Sequence, residues 1–417
     1  MNRFHAISSS GKTTDTFGSK EDGVWTFVSP PDYEIPGLPA HSAMANAWVT
    51  FKQIFRRVDE SSQTLVKQES ELRSLSHVRL EHLVPFLDLR VVSEALNASV
   101  VDWLAADDSD RSVKWIIGQP YADHAQTVRL WGERHQAITI ASPSCEQILA
   151  GKVSWLDDWP KNGQLWVLPN LEHCFLRHPD GLKFVRLLFE RIDSGRFGRG
   201  MIGCDSWAWS FLQRIWPVSQ TDVLTLQAFD GLRLVQLLSG MTASRSDKRI
   251  RFRSAANGED ILAVPSDADQ VHSEITRLAA HCRGNVGIAL HYWRRCLRSE
   301  AETDTRKPND QEETEQKNEL SEESVWVASV LPEPVLPVGM EEDSTLLLHV
   351  LLIHGGLPGS VLSELLPLSH PLCMTLLQRL QRIGFVQYRN DRWSIHELAY
   401  SFVRNLLHGR AYLVDDF

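Results

Sequence analysis

From Val113 onward, short apolar runs alternate with amphipathic stretches, the pattern of a parallel sheet covered by helices. The predicted strands are 113–117, 137–141, 165–168, 199–204 and 222–226, with a gap after each that is long enough for a helix. Ahead of them, 42–76 places Trp48, Phe51, Ile54, Phe55 and Val58 near helical spacing. After them, 229–238 and 266–282 are helical in pattern, and Gly284-Asn285-Val286-Gly287 opens a further helix through Ile288, Ala289, Tyr292 and Trp293. Beyond Glu342, helical periodicity returns over 346–354, 361–366 and 372–383. Two short strand-like runs follow, 384–388 and 392–396. Three helices and a hairpin make the order of a winged helix.

Polar segments divide these blocks. Residues 1–40 are rich in Ser, Gly, Pro and charge, which predicts a disordered or loosely docked arm. The acidic stretch beginning at Ser299 holds too few apolar residues to offset its ordering entropy and predicts a linker over 299–340. The expected organisation is therefore a helical segment over 41–112, an α/β core over 113–240, a helical lid over 241–298, the linker, and a terminal domain over 341–417.

Composition narrows the chemistry. The chain has 417 residues, 43% hydrophobic and 23% charged, the profile of a globular protein of two or three domains. A formal charge of -10 argues against a protein that coats nucleic acid. Residues 1–20 lack the apolar core of a signal peptide, and no run of apolar residues is long enough to span a bilayer; the expectation is a cytoplasmic chain without a membrane span. The six cysteines show no CxxC pair and the sixteen histidines no HExxH, so reduced thiols and no metal site are expected. The fourteen tryptophans sit beside apolar strand and helix positions, which favours core packing over base stacking.

The strand over 113–117 runs directly into Gly118-Gln119-Pro120-Tyr121-Ala122-Asp123-His124-Ala125 and then a helix carrying Val128, Leu130 and Trp131. A phosphate loop, GxxxxGK[ST], occupies such a position: its glycines let backbone N–H groups surround phosphates, its lysine holds their charge and its hydroxyl binds Mg²⁺. Here only Gly118 matches. Asp123 stands at the second glycine, His124 at the lysine and Ala125 at the hydroxyl. A carboxylate turned towards a triphosphate is repelled by about 4 kcal/mol at ~4 Å and an effective dielectric of ~20, a loss of roughly a thousandfold in affinity. A protonated His124 offsets part of it, and an ordinary strand-to-helix turn is the alternative reading. The acidic strand end that binds Mg²⁺ should follow the strand over 165–168, but Pro169 and Asn170 stand there. The nearest carboxylate is Glu172, whose expected place is a helix cap or the surface.

Taken together, these residues resemble the AAA+ and STAND group of P-loop ATPases, in the branch that ends in a winged helix. The resemblance rests on Gly118, on Leu168-Pro169-Asn170-Leu171-Glu172-His173-Cys174, on Gly203-Cys204-Asp205-Ser206-Trp207 and on Arg283-Gly284-Asn285-Val286-Gly287. It implies a P-loop NTPase-like parallel sheet with a helical lid and a C-terminal winged-helix domain. It implies too that Asp205 stands at the polar sensor of the γ-phosphate, that Gly284-Asn285-Val286-Gly287 begins a lid helix over the adenine, and that Arg283 lies within reach of phosphates. Asp205 is acidic where a neutral sensor is usual.

Three departures, at the loop, the Mg²⁺ carboxylate and the sensor, point to a scaffold that kept its fold and lost its reaction. The expected function is that of a pseudo-ATPase regulator or scaffold working through a protein partner or a homologous ATPase subunit. An ATPase that binds ATP and Mg²⁺ through an atypical loop is one alternative. A winged-helix DNA regulator is another, but residues 341–417 carry six Arg and no Lys against eight acids. The basic run 245–253 is expected as a strand edge with alternate residues on one face. The closing run 412–417 is expected either as an exposed peptide that a partner grips or as a strand tucked on its own domain.

Overall fold

The computed structural model describes residues 23–37, 72–106, 113–157, 159–160, 163–218, 222–243, 250–263, 270–300, 323–328 and 341–417. Most of the expected arm, the helical pattern over 42–71 and the acidic run 301–322 lie outside the described residues.

Ahead of the core come β1 (Phe27–Val28), β2 (Leu72–Ser74), α1 (His77–Leu83), α2 (Leu89–Ser99) and α3 (Val101–Ala105). The core alternates β3 (Val113–Gly118), α4 (His124–Arg134), β4 (Ile138–Thr139), α5 (Cys145–Leu149), β5 (Trp166–Leu168), α6 (Pro179–Asp193), β6 (Gly200–Asp205), α7 (Ser206–Gln213) and β7 (Val223–Leu226). Each predicted strand is present, shifted by a residue or two at its ends. The sheet order is β1-β7-β3-β6-β5-β4, with β3 through β7 parallel and β1 antiparallel on the β7 edge. Counted from β3, the strand that enters the loop, the parallel strands lie 5-1-4-3-2. This P-loop NTPase-like parallel sheet puts β3 beside β6, so that the loop after β3 and the chain at the end of β6 meet.

Side chains alternate across this sheet as the pleat requires. Val113, Trp115 and Ile117 join one buried cluster with Trp166, Leu168, Ile202 and Cys204, under α6 and α7. Ile116, Val167 and Met201 face the other way, against Val128 and Trp131 of α4. Trp115, Trp131, Trp159, Trp166, Trp207 and Trp209 are all buried in the core, and Trp155 and Trp216 are partly buried against it. Residues 23–37 are not a loose arm: Val24, Trp25 and Phe27 are buried and Phe27 pairs with Leu226. The run Val24-Trp25-Thr26-Phe27-Val28, made of β-branched and aromatic residues, is the signal for that strand.

The lid consists of α8 (Gly231–Ala243), β8 (Ile250–Ser254), α9 (Ser273–His281), α10 (Val286–Cys296) and β9 (Leu297–Glu300). It is not purely helical, because β10 (Glu323–Val327), inside the expected linker, pairs with both β8 and β9. With β2 these strands form a second sheet in the order β2-β9-β10-β8. The expected basic strand is thus present as β8, while 245–249 lie outside the described residues.

The terminal domain has α11 (Glu341–Ile353), α12 (Gly359–Leu365), α13 (His370–Arg382), the hairpin of β11 (Val386–Arg389) and β12 (Arg392–Ile395), and α14 (Tyr400–Gly409). Leu357 adds a bridge to Trp393, tying the hairpin to the turn between α11 and α12. Among the described residues no single helix is long and apolar enough to cross a membrane. The bent pair α12 and α13, at 120°, has the length and composition for crossing only when the two are joined. The domain packs onto the core, with α11 against α7 and residues 412–417 running back across the start of α7.

Candidate functional site at the end of the central strands

The loop between β3 and α4 follows the central strand and leads into α4, and of the residues of a phosphate loop it carries only Gly118. Asp123 caps α4 with φ 53°, the left-handed conformation for which a glycine is the usual choice and which aspartate tolerates better than most residues. Tyr121 is left-handed as well, at φ 67°. Gly118 is required by close approach, since a Cβ there would lie 2.4 Å from the His124 Cβ.

His124 turns inward rather than out towards a ligand. Its Nε2 lies 3.3 Å from Oε1 of Glu172, with both side chains largely buried. The nitrogen is not aligned for a directed hydrogen bond, so the contact is ionic. Glu172 is only 3% exposed, which corrects its expected place on the surface or at a cap. The reason is the turn after β5: Pro169 ends the strand, and a short 3-10 turn over Leu171–His173 swings Glu172 under α4. There Asn170 Nδ2 donates to Glu172 Oε1 at 3.0 Å, and the Asp205 N–H donates to Oε2 at 3.1 Å. Asn170 also accepts from Arg129 of α4 at 3.2 Å.

Electrostatics separate the three titratable groups. Burial alone raises the Glu172 carboxyl, but the adjacent His124, together with His173 and the Asn170 amide, overcomes it and holds the group at about 2. Burial lowers His124, and the Glu172 carboxylate more than reverses that, so its pKa is raised. Burial and then the charge of Glu172 push Asp205 well above the usual carboxylate range, favouring its neutral form. The acid at the sensor position thus behaves as a neutral polar group, capping α7 by accepting from the Trp207 N–H at 2.9 Å. Asp123, expected to turn its carboxylate towards the phosphates, is instead exposed. Ala125 adds no polar group in α4.

The lid closes the loop from above. Asn285 caps α10 and donates from Nδ2 to the Pro120 carbonyl at 2.7 Å. Gly287 lies so close that a Cβ would stand 1.9 Å from the Tyr121 carbonyl oxygen. The Tyr121 hydroxyl donates to the Ile395 carbonyl of β12 in the terminal domain, and its ring meets Tyr400 edge-on. Asn285 and Gly287 belong to the turn expected to open the lid helix, whereas nothing in the sequence singles out Tyr121. Arg283, expected within reach of phosphates, donates instead to the Phe417 carbonyl at 3.1 Å. What remains beside Gly118 and His124 is a cavity of about 20 Å³. That volume holds about one water, against the ~300 Å³ and upwards of small-molecule sites. Among the described residues no group of three or more His, Cys, Asp and Glu side chains is placed to hold a metal ion.

No family model and no curated protein matches this chain. Among solved structures, it is similar to an ORC2 protein of Aeropyrum pernix in ADPNP-ADP complexes, at 13% identity, covering 84% of this chain and 98% of that one, with a TM-score of 0.28. It is similar to Cdc6p of Pyrobaculum aerophilum at 12% identity, over 84% and 98%, with a TM-score of 0.28. A point variant of RuvB from Thermotoga maritima matches at 11% identity, over 82% and 96%, with a TM-score of 0.25. Superpositions this loose carry no argument about the site, and the fold stands on the strand order.

Proposed function

We propose that this chain is a non-catalytic member of the P-loop ATPase fold, a regulator or scaffold that works through contacts with a protein partner, which includes a homologous ATPase subunit. The observation that carries the reading is that the phosphate-loop position is filled from within. His124 stands where a lysine would hold phosphate, and its charge is neutralised by Glu172.

The balance of charges supports this. A bound triphosphate would have to draw His124 away from Glu172 and leave that carboxylate buried beside the phosphates. Breaking a buried ion pair costs about 3–5 kcal/mol, before the repulsion from Glu172 itself is counted. Each missing group normally supplies orders of magnitude in phosphoryl transfer. The fold then serves to position surfaces, with the winged helix as the docking face.

Thermal unfolding with and without millimolar Mg-ATP tests the reading. The expected result is no shift beyond about 1 °C, since a ligand at a hundred times its Kd would add ~2.7 kcal/mol. A shift of several degrees that His124→Ala abolishes would restore nucleotide binding and sink the proposal.

A further inference from the structure

Residues 412–417 follow α14 without helix or strand, yet they are held at alternate positions. The Leu413 carbonyl lies 3.0 Å from His349 Nε2 in α11. Asp415 is 1% exposed. Its carboxylate accepts from Arg404 Nε at 2.9 Å and from the Ser206 hydroxyl at 2.6 Å, and its carbonyl accepts from Arg404 Nη2 at 2.7 Å. Phe417 is buried edge-on against Tyr33, and its carbonyl takes the Arg283 bond. Asp416, between these anchors, is exposed.

Alternate anchoring of an extended segment in side-chain pockets is how peptide-binding surfaces read sequence. Here one arginine takes both the carboxylate and the carbonyl of a single residue, a forked contact specific for a carboxylate in that place. The walls come from four parts of the molecule: Arg404 and His349 from the winged helix, Ser206 from the core, Arg283 from the lid and Tyr33 from the segment ahead of the core. Whatever fills the groove ties these parts together, and an empty groove leaves Arg404 and Ser206 buried without their carboxylate.

We infer that this is a peptide-recognition groove occupied in cis by residues 412–417, and that in trans it takes a partner segment presenting an aspartate and, two residues on, a phenylalanine. The inference gives the protein contacts proposed above a surface and a partner chemistry, and it rests on that reading only for its role. The tethered segment competes at an effective concentration of about millimolar, so the wild-type chain resists exchange and a partner must displace the chain's own segment.

The test is fluorescence anisotropy of an end-blocked, labelled peptide, Tyr-Leu-Val-Asp-Asp-Phe, added to the full chain and to its Asp415→Asn/Phe417→Ala form. The double variant should bind saturably and at least ~10-fold more tightly than wild type, having lost its tethered competitor. Asparagine at the peptide's first aspartate, or Ser206→Ala in the protein, should weaken binding. If the double variant does not melt cooperatively, Phe417→Ala alone keeps the Arg404–Asp415 pair and should still bind better than wild type. A folded variant that binds no better than wild type, or binding indifferent to the peptide's aspartate, overturns the inference. No nucleotide enters this experiment, so a positive Mg-ATP shift would sink the pseudo-ATPase reading and leave the groove standing, and the reverse holds too.

Discussion

At residue scale, Glu172 and His124 each keep the other charged in a place nearly closed to water. Glu172→Gln would leave the imidazole without its counterion, and we expect a loss of about 3 kcal/mol near pH 6. The pH dependence follows from the two shifts. Glu172 is depressed to about 2, so its contribution is present above the unfolded carboxylate pKa and is lost as pH falls through about 2. His124 is raised, so its contribution is full below the unfolded imidazole value of 6.5 and is lost as pH rises through its folded value. Urea unfolding of wild type and Glu172→Gln should therefore show a wide gap at about pH 6 that narrows as the pH is raised above 6.5 and His124 loses its proton; a gap independent of pH would mean that the pair is not ionised. His124 was legible in the sequence because its position in the loop is fixed by the strand before it and the helix after it. Glu172 was not, because its burial depends on the turn that Pro169 forces and on α4 lying above that turn.

Among the elements, the N-terminus of α10 is pressed against the loop. Two effects oppose each other at Gly287. Alanine favours a helix by about 1 kcal/mol over glycine, but here its Cβ would stand 1.9 Å from the Tyr121 carbonyl, which belongs to backbone and cannot rotate away. Overpacking of this kind costs ~1–3 kcal/mol, so the clash wins. Gly287→Ala should lower the urea midpoint, whereas a rise would mean that α10 stands off the loop. The parallel strands were readable because each carries its own apolar run. The second sheet was not, because β10 lies at the end of a polar stretch and gains its partners only when β8 and β9 are brought beside it. Non-local pairing of that kind leaves no mark in local periodicity.

For the whole molecule, the terminal domain meets the core through buried histidines held neutral. Burial pushes His349 down to about 4, the nearby Arg177 adding to it, and pushes His354 down to about 3. Both lie in or just after α11, where it meets the core; the His354 ring packs on Phe175 and its Nε2 accepts from the Arg177 N–H at 3.3 Å. In the lid, burial lowers His281 to about 4. Each of these folded values is depressed, so the stability they confer is present above the unfolded value of 6.5 and is lost as pH falls towards the folded one. Over that interval the unfolded chain binds three protons at these positions that the folded chain refuses, a slope of ~4 kcal/mol per pH unit, and His173, pushed by burial to about 4, adds to it in the same sense. His124 acts in the opposite sense above 6.5, where its raised value makes stability fall with rising pH, and so does Asp205 from the unfolded carboxylate value upward, because its raised carboxyl holds a proton that the unfolded chain has released. Below 6.5 the depressed histidines outnumber Asp205, so the net trend is a loss of stability on acidification. Urea midpoints measured from about pH 7 down to about pH 5 should fall, and His349→Leu should flatten that fall by about one proton, ~1.4 kcal/mol per pH unit. An unchanged slope in the variant would mean that His349 takes up its proton without leaving its place between Trp207 and Tyr412, and the winged helix would then be held on the core by packing that is indifferent to acid.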